Sequence, residues 1–119
     1  MTFKMDQYFN KEFVDDILII DVNSSSATTQ HADEFSKIIK AEIKEDRKKI
    51  IIDLSQCKFI DSVFLGVLIY SSKELKDNEG KMNIVEPAKL PPAIFSISKS
   101  LHLLEYFKTR EEAINSFSS

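Results

Sequence analysis

In residues 50–54, Ile-Ile-Ile-Asp-Leu, the apolar Ile50, Ile51 and Ile52 stand on consecutive positions, with Leu54 after them, where a strand open to water on one face would alternate. A run of β-branched residues without alternation fits a central strand covered by helices. Seven residues on stands the pair Asp61-Ser62, and beyond it Val63, Val67, Leu68, Ser71 and Leu75 recur at helical spacing. A chain that changes period in this way places a strand in the middle of a sheet and leaves it through a helix. That requirement selects an α/β fold.

The remaining segments extend the same plan. Residues 3–9, "FKMDQYF", roughly alternate, and residues 13–22, "FVDDILIIDV", are rich in β-branched side chains. They predict two strands joined as an antiparallel hairpin through Asn10–Glu12. The polar stretch "NSSSATTQ" reads as a loop or helix cap. From Ala32, the positions Ala32, Phe35, Ile38, Ile39 and Ile43 form one helical stripe, with Lys37, Lys40 and Lys44 outside it. The helix after Ser62 is expected to stop near "KDNEGK", with Gly80 at positive φ. "KMNIVEP" predicts a strand. "KLPPAIFSISKSLHL" predicts a helix with its prolines in the first turn and Ala93, Ile94, Ile97 and Leu101 on its apolar face. A short strand is expected over Tyr106–Lys108. Thr109 and Glu112 have capping-box spacing before Ala113, Ile114 and Phe117, which predicts a closing helix.

The predicted order is β-β-α-β-α-β-α-β-α: a mixed central sheet of about five strands with about four helices packed mainly on one face. At 119 residues, without repeat or linker, residues 1–119 read as one domain.

Composition excludes several roles. A formal charge of −3 and a basic cluster, Lys44–Lys49, interrupted by Glu45 and Asp46, argue against nucleic-acid binding. No stretch approaches the roughly 18 uninterrupted apolar residues of a membrane span, so direct membrane insertion is not expected. The first residues lack the apolar core of a secretory signal, which predicts a cytoplasmic protein. Cys57 is the single cysteine, has no ligand-spaced neighbour, and reads as a small core residue. No metal or cofactor is expected.

Asp61-Ser62 therefore sits at a strand-to-helix turn. Either side chain can cap the helix, since its oxygen accepts from the otherwise orphaned first-turn N–H groups. A serine there can also present its hydroxyl to solvent, where an attached phosphate would meet those N–H groups and the positive end of the helix dipole.

The segment "IIIDLSQCKFIDSVFLGVLI" resembles the hallmark of the STAS domain, and within it the bacterial anti-sigma factor antagonists. Their pattern is an apolar strand, D-L-S, several residues, then F-[IM]-D-S-[ST]-G-L-G. Matching positions are Asp53, Leu54, Ser55, Phe59, Ile60, Asp61, Ser62, Leu65 and Gly66. The resemblance covers the chain in length and element order, and implies a STAS-like single domain. It also implies a phosphorylation-controlled partner switch. The unmodified domain would bind a kinase-type anti-sigma factor, phosphorylation of Ser62 would release it, and a serine phosphatase would reset it.

Val63 and Phe64 depart from the small residue and glycine usual after that serine. With Asp61, Ser24 and Ser25 they are candidate partner contacts. Helical spacing leaves Phe64 open between an exposed docking side chain and a core residue. Ser24, Ser25 and Ser26 are expected near Ser62, because the two loops share one edge of the sheet. Gly66, within the helix, is expected to permit close packing on the sheet.

No enzyme is expected. His31 and His102 accompany no nucleophile arrangement, and adjacent Asp61 and Ser62 cannot supply the separate base and orienting carboxylate of a triad. The alternative function is an interaction module of the same fold without phosphorylation, such as a cytoplasmic subunit of a lipid transporter or a signalling scaffold. The expected state is a monomer or weak homodimer, the strand at 3–9 being an edge that could pair.

Overall fold

The structure is a computed structural model, and it describes residues 8–24, 26–87 and 102–118. Its main sheet has five strands in the order β1 (Phe9–Val14), β2 (Ile17–Val22), β4 (Lys49–Asp53), β6 (Lys81–Val85) and β7 (Glu105–Phe107). The β1–β2 pair is antiparallel and the other pairings are parallel. A separate ribbon pairs β3 (Ser26–Ala27) with β5 (Phe59–Ile60). The helices among the described residues are α1 (Thr29–Lys44), α2 (Ser62–Asp77) and the short α3 (Arg110–Asn115), followed by a 3₁₀ turn at Ser116–Ser118. The helix expected through Ala93, Ile94, Ile97 and Leu101 lies outside the described residues.

The unbroken isoleucine run has the predicted cause. Ile50 and Ile52 join Leu18, Ile20, Phe35, Phe64 and Leu68 in the larger core, beneath α1 and α2. Ile51 points the other way, with Ile17, Ile19, Val85 and Ala113 beneath α3. Both long helices share one face, and α3 covers part of the other. Fully buried Asn83 helps to hold it there, its amide donating to the Ala113 carbonyl at 2.9 Å.

On α1, Ala32, Phe35 and Ile39 are buried, Ile38 and Ile43 half-buried, and Lys37, Lys40 and Lys44 exposed, as the stripe predicted. On α3, Thr109 accepts from the Glu112 N–H at 3.1 Å, so the predicted cap is present. The last strand runs one residue earlier than expected.

The first hairpin differs in position. Its turn is Asp15-Asp16, with Asp15 at φ 54°, and Asn10–Glu12 lie inside β1, paired with Ile19–Asp21. An edge strand needs no apolar alternation, and these polar residues serve it through ion pairs, Lys11 with buried Glu42 at 2.6 Å and Glu12 with Arg110 at 2.8 Å. Residues 3–7 of the expected first strand lie outside the described residues.

Gly80 also has a different role from the one expected. The left-handed residue ending α2 is Glu79, φ 66°, in a Schellman turn where the Gly80 N–H donates to the Leu75 carbonyl at 2.8 Å. Glycine is needed one position later for space: a Cβ at Gly80 would meet the Lys48 carbonyl oxygen at 2.8 Å and Leu75 Cδ1 at 2.7 Å.

Candidate functional site

The seam is built from β5. Its residues Phe59 and Ile60 pair with Ser26 and Ala27 of β3, and the Asp61 N–H extends the ribbon by donating to the Ala27 carbonyl at 3.0 Å. The two-residue ribbon holds the start of α2 beside the start of α1.

Asp61 uses that proximity. It is extended, φ −90° and ψ 170°, as a helix N-cap requires. Its Oδ1 accepts from the Phe64 N–H at 2.8 Å, closing the first turn of α2. Its Oδ2 accepts from both the Thr29 N–H at 2.7 Å and the Thr29 hydroxyl at 2.9 Å. Thr28, the N-cap residue of α1, makes no side-chain cap bond of its own, so Asp61 caps both helices. Partial burial alone would raise its pKa. The N–H groups of Phe64, Thr29 and Val63 and the Thr29 hydroxyl outweigh that and hold the carboxyl below the ordinary carboxylate range.

Ser62 follows as the exposed first residue of α2. Since Asp61 makes the cap, the start of the helix does not depend on the serine hydroxyl. Val63 is 47% exposed, and Phe59, on the other side of the seam, is 55% exposed. One exposed apolar side chain thus lies on each side of Ser62 in the sequence.

Phe64 is removed from the expected partner surface. It is fully buried, with ring centroids 5.1 Å from Phe35 and 6.4 Å from Phe9. The inward stripe of α2 is Phe64, Leu68, Ser71 and Leu75, at steps of four, three and four, which turns Val63 outward. Gly66 is corrected as well. It lies on the exposed face, and an added Cβ would have nothing within 4 Å, so packing on the sheet does not require it.

The neighbouring loop ends at the same place. Ser24 is half-buried and its hydroxyl accepts from the Ser26 N–H at 3.2 Å. Ser25 lies outside the described residues. The Ser26 carbonyl accepts from the Tyr8 hydroxyl, whose pKa burial raises. Tyr8 stacks on His31 with centroids 3.5 Å apart, so that histidine packs as an aromatic ring. Cys57 is buried beneath the seam, and burial, reinforced by the charge of Asp53, pushes its thiol up to about 12, which leaves it unreactive. Among the described residues, no group of three or more His, Cys, Asp or Glu side chains is placed to hold a metal ion.

Sequence reasoning missed Thr29 and the exposure of Phe59. The pair Thr28-Thr29 ahead of a helical stripe was an available cap signal; which residue capped which helix depended on the β3–β5 ribbon.

Residues 8–113 match the family model of the STAS domain. BtrV of Bordetella bronchiseptica, named a candidate anti-sigma factor antagonist, is 25% identical over 96 residues, spanning 81% of this chain and 78% of that protein. The crystal structure of a candidate anti-sigma factor antagonist from Thermotoga maritima superposes with a TM-score of 0.80 at 24% identity, covering 93% of this chain and 95% of that one. The anti-sigma factor antagonist SpoIIAA of Bacillus, in its unphosphorylated form, gives 0.72 at 19% identity, over 93% of this chain and 98% of that one. SpoIIAA is also known in a phosphorylated form, to which this chain superposes at 0.69 and 19% identity, over 92% of this chain and 98% of that one.

Proposed function

This chain belongs to the STAS domain family, and from that premise we propose that it is an anti-sigma factor antagonist working as a phosphorylation-controlled partner switch. With Ser62 unmodified it binds a kinase-type anti-sigma factor; with Ser62 phosphorylated it lets go, and a serine phosphatase restores binding. The observation that carries this reading is the division of labour between neighbours: Asp61 caps the helix, while exposed Ser62 is left out of that cap.

In the modifying step, Ser62 Oγ attacks the γ-phosphorus of ATP bound to the partner kinase. The new O–P bond forms as the bond from γ-phosphorus to the β–γ bridging oxygen breaks. ADP departs, and the serine proton passes to a base of the kinase. The phosphate brings about −1.5 to −2 charges at neutral pH, beside the ionised Asp61 and between two apolar contact residues. A partner surface shaped for a neutral hydroxyl with Phe59 and Val63 around it then meets a dianion it must desolvate. Ser24 and Ser25 belong to this reading as partner contacts on the adjoining loop, and Asp61 as the charge beside the modified residue.

The exposed Phe59 and Val63 also suit a second reading, an interaction module that binds through the same apolar patch and is never modified. Incubation with ATP and the kinase-type anti-sigma factor, followed by mass spectrometry, separates the two. Phosphate on Ser62 that is lost in Ser62→Ala supports the switch. Stable binding with no phosphate supports the module.

A further inference from the structure

Asp61 is the sole side chain among the described residues whose hydrogen bonds cap α1 and α2 together. The two halves of its bonding differ. The bond to the Phe64 N–H is partly buried, whereas both bonds to Thr29 are exposed, so water can replace the second set far more readily than the first. Thr28 offers α1 no substitute cap. The strength of the contact rests on a full negative charge on Asp61, the one property that a new anion next door would penalise.

We propose that the Asp61–Thr29 contact is a relay: a phosphate on Ser62 breaks it, uncaps α1, and loosens Thr28–Thr29, so that modification alters a second surface besides the one that carries it. This rests on the reading of Ser62 as the modified residue. The phosphate enters at the first position of α2, where its oxygens compete with Asp61 for the first-turn N–H groups and its charge repels the carboxylate. Asp61 yields at its exposed side. The Thr29 N–H and hydroxyl then have only water as a partner and the first residues of α1 fray, while its buried turns at Phe35 and Ile39 stay in the core. The Asp61–Ala27 backbone bond and the β3–β5 ribbon confine the change to the end of the helix.

Amide hydrogen exchange at Thr29, measured by NMR on the full chain, tests this in three forms: unmodified, phosphorylated by the kinase partner with the site confirmed by mass spectrometry, and Ser62→Glu. The expected result is Thr29 exchange faster by about tenfold in the phosphorylated form, with Ile39 and Ile51 unchanged. Thr29 exchange within about twofold of the unmodified chain, on protein carrying the phosphate, overturns the relay and leaves the switch reading standing. If the kinase leaves Ser62 unmodified, the switch reading fails by itself and the Ser62→Glu chain decides the relay: faster Thr29 exchange supports it, unchanged exchange overturns it. Asp61→Asn, with the charge removed and the shape kept, is expected to show fast Thr29 exchange whether or not Ser62 is changed.

Discussion

Arg110 donates to Asp53 from both Nε, at 3.1 Å, and a terminal nitrogen, at 2.8 Å, so the first residue of α3 is tied to the last residue of β4. The same guanidinium reaches Glu12 on β1 and Asp21 on β2. One cation thereby serves three strands, and Asp53 is the most buried of its partners. Arg110→Met keeps the aliphatic stem and strands the buried carboxylate. We expect a loss of about 2–3 kcal/mol in urea unfolding, more than an exposed ion pair yields. A loss below about 0.5 kcal/mol would show that water already screens Asp53.

Three carboxylates share that one arginine, and the surplus falls on Asp21. Burial raises its pKa, the nearby Asp53 and Glu12 charges add to this, and Arg110 offsets only part. A raised acid binds more protons folded than unfolded, so its ionisation costs stability as pH rises through the folded value. Asp21→Asn should therefore stabilise the chain at pH 7, by less than about 1 kcal/mol, with the gain vanishing once pH falls below the ordinary carboxylate range. Thermal midpoints of both chains across that range check the sign.

The two glycines should respond oppositely to alanine. At exposed Gly66 a Cβ meets nothing within 4 Å, and the helix gains backbone order, so Gly66→Ala should stabilise by up to about 1 kcal/mol. At Gly80 the same methyl meets the Lys48 carbonyl at 2.8 Å, an atom held by its bond from the Lys81 N–H. Gly80→Ala should cost about 1–3 kcal/mol. Denaturant midpoints of the pair measured together give the contrast directly.

What the sequence revealed and what it hid divide along physical lines. Ile50–Ile52 and the α1 stripe were legible because burial on a sheet or helix face dictates residue type at fixed spacing. Asn10–Glu12 misled because an edge strand carries no such constraint, and its polar side chains find partners on α1 and α3 that are distant in sequence. Gly80 misled because its clash lies with Lys48, across the sheet. Phe64 was resolvable in principle from its step to Leu68, Ser71 and Leu75. At the seam, Asp61 and Ser62 were found together, but their separate jobs were not, since the partner that occupies Asp61 is Thr29, 32 residues earlier.

That separation of jobs gives the last prediction. Asp61→Ala removes the acceptor of three bonds and uncaps two helices, and each lost cap costs about 1 kcal/mol, so a loss of roughly 2 kcal/mol is expected. The Asp61 carboxyl has a lowered folded pKa, so its contribution is present above the ordinary carboxylate range and declines as pH falls through the folded value. The difference between Asp61→Ala and the unaltered chain should accordingly be full at pH 7 and shrink in acid. Ser62→Ala should stay within about 0.5 kcal/mol of the unaltered chain, because an exposed first-turn residue holds no part of the cap. Ser62→Asp, whose carboxylate repels Asp61 from Thr29, should lose at most the one cap on α1, about 1 kcal/mol. Under the switch reading, Ser62→Asp should also weaken binding to the anti-sigma partner, by titration calorimetry at a temperature where the chain stays folded. If Ser62→Ala instead destabilised the chain as much as Asp61→Ala, the hydroxyl would be a structural cap, and a residue the fold depends on in that way is a poor one to esterify.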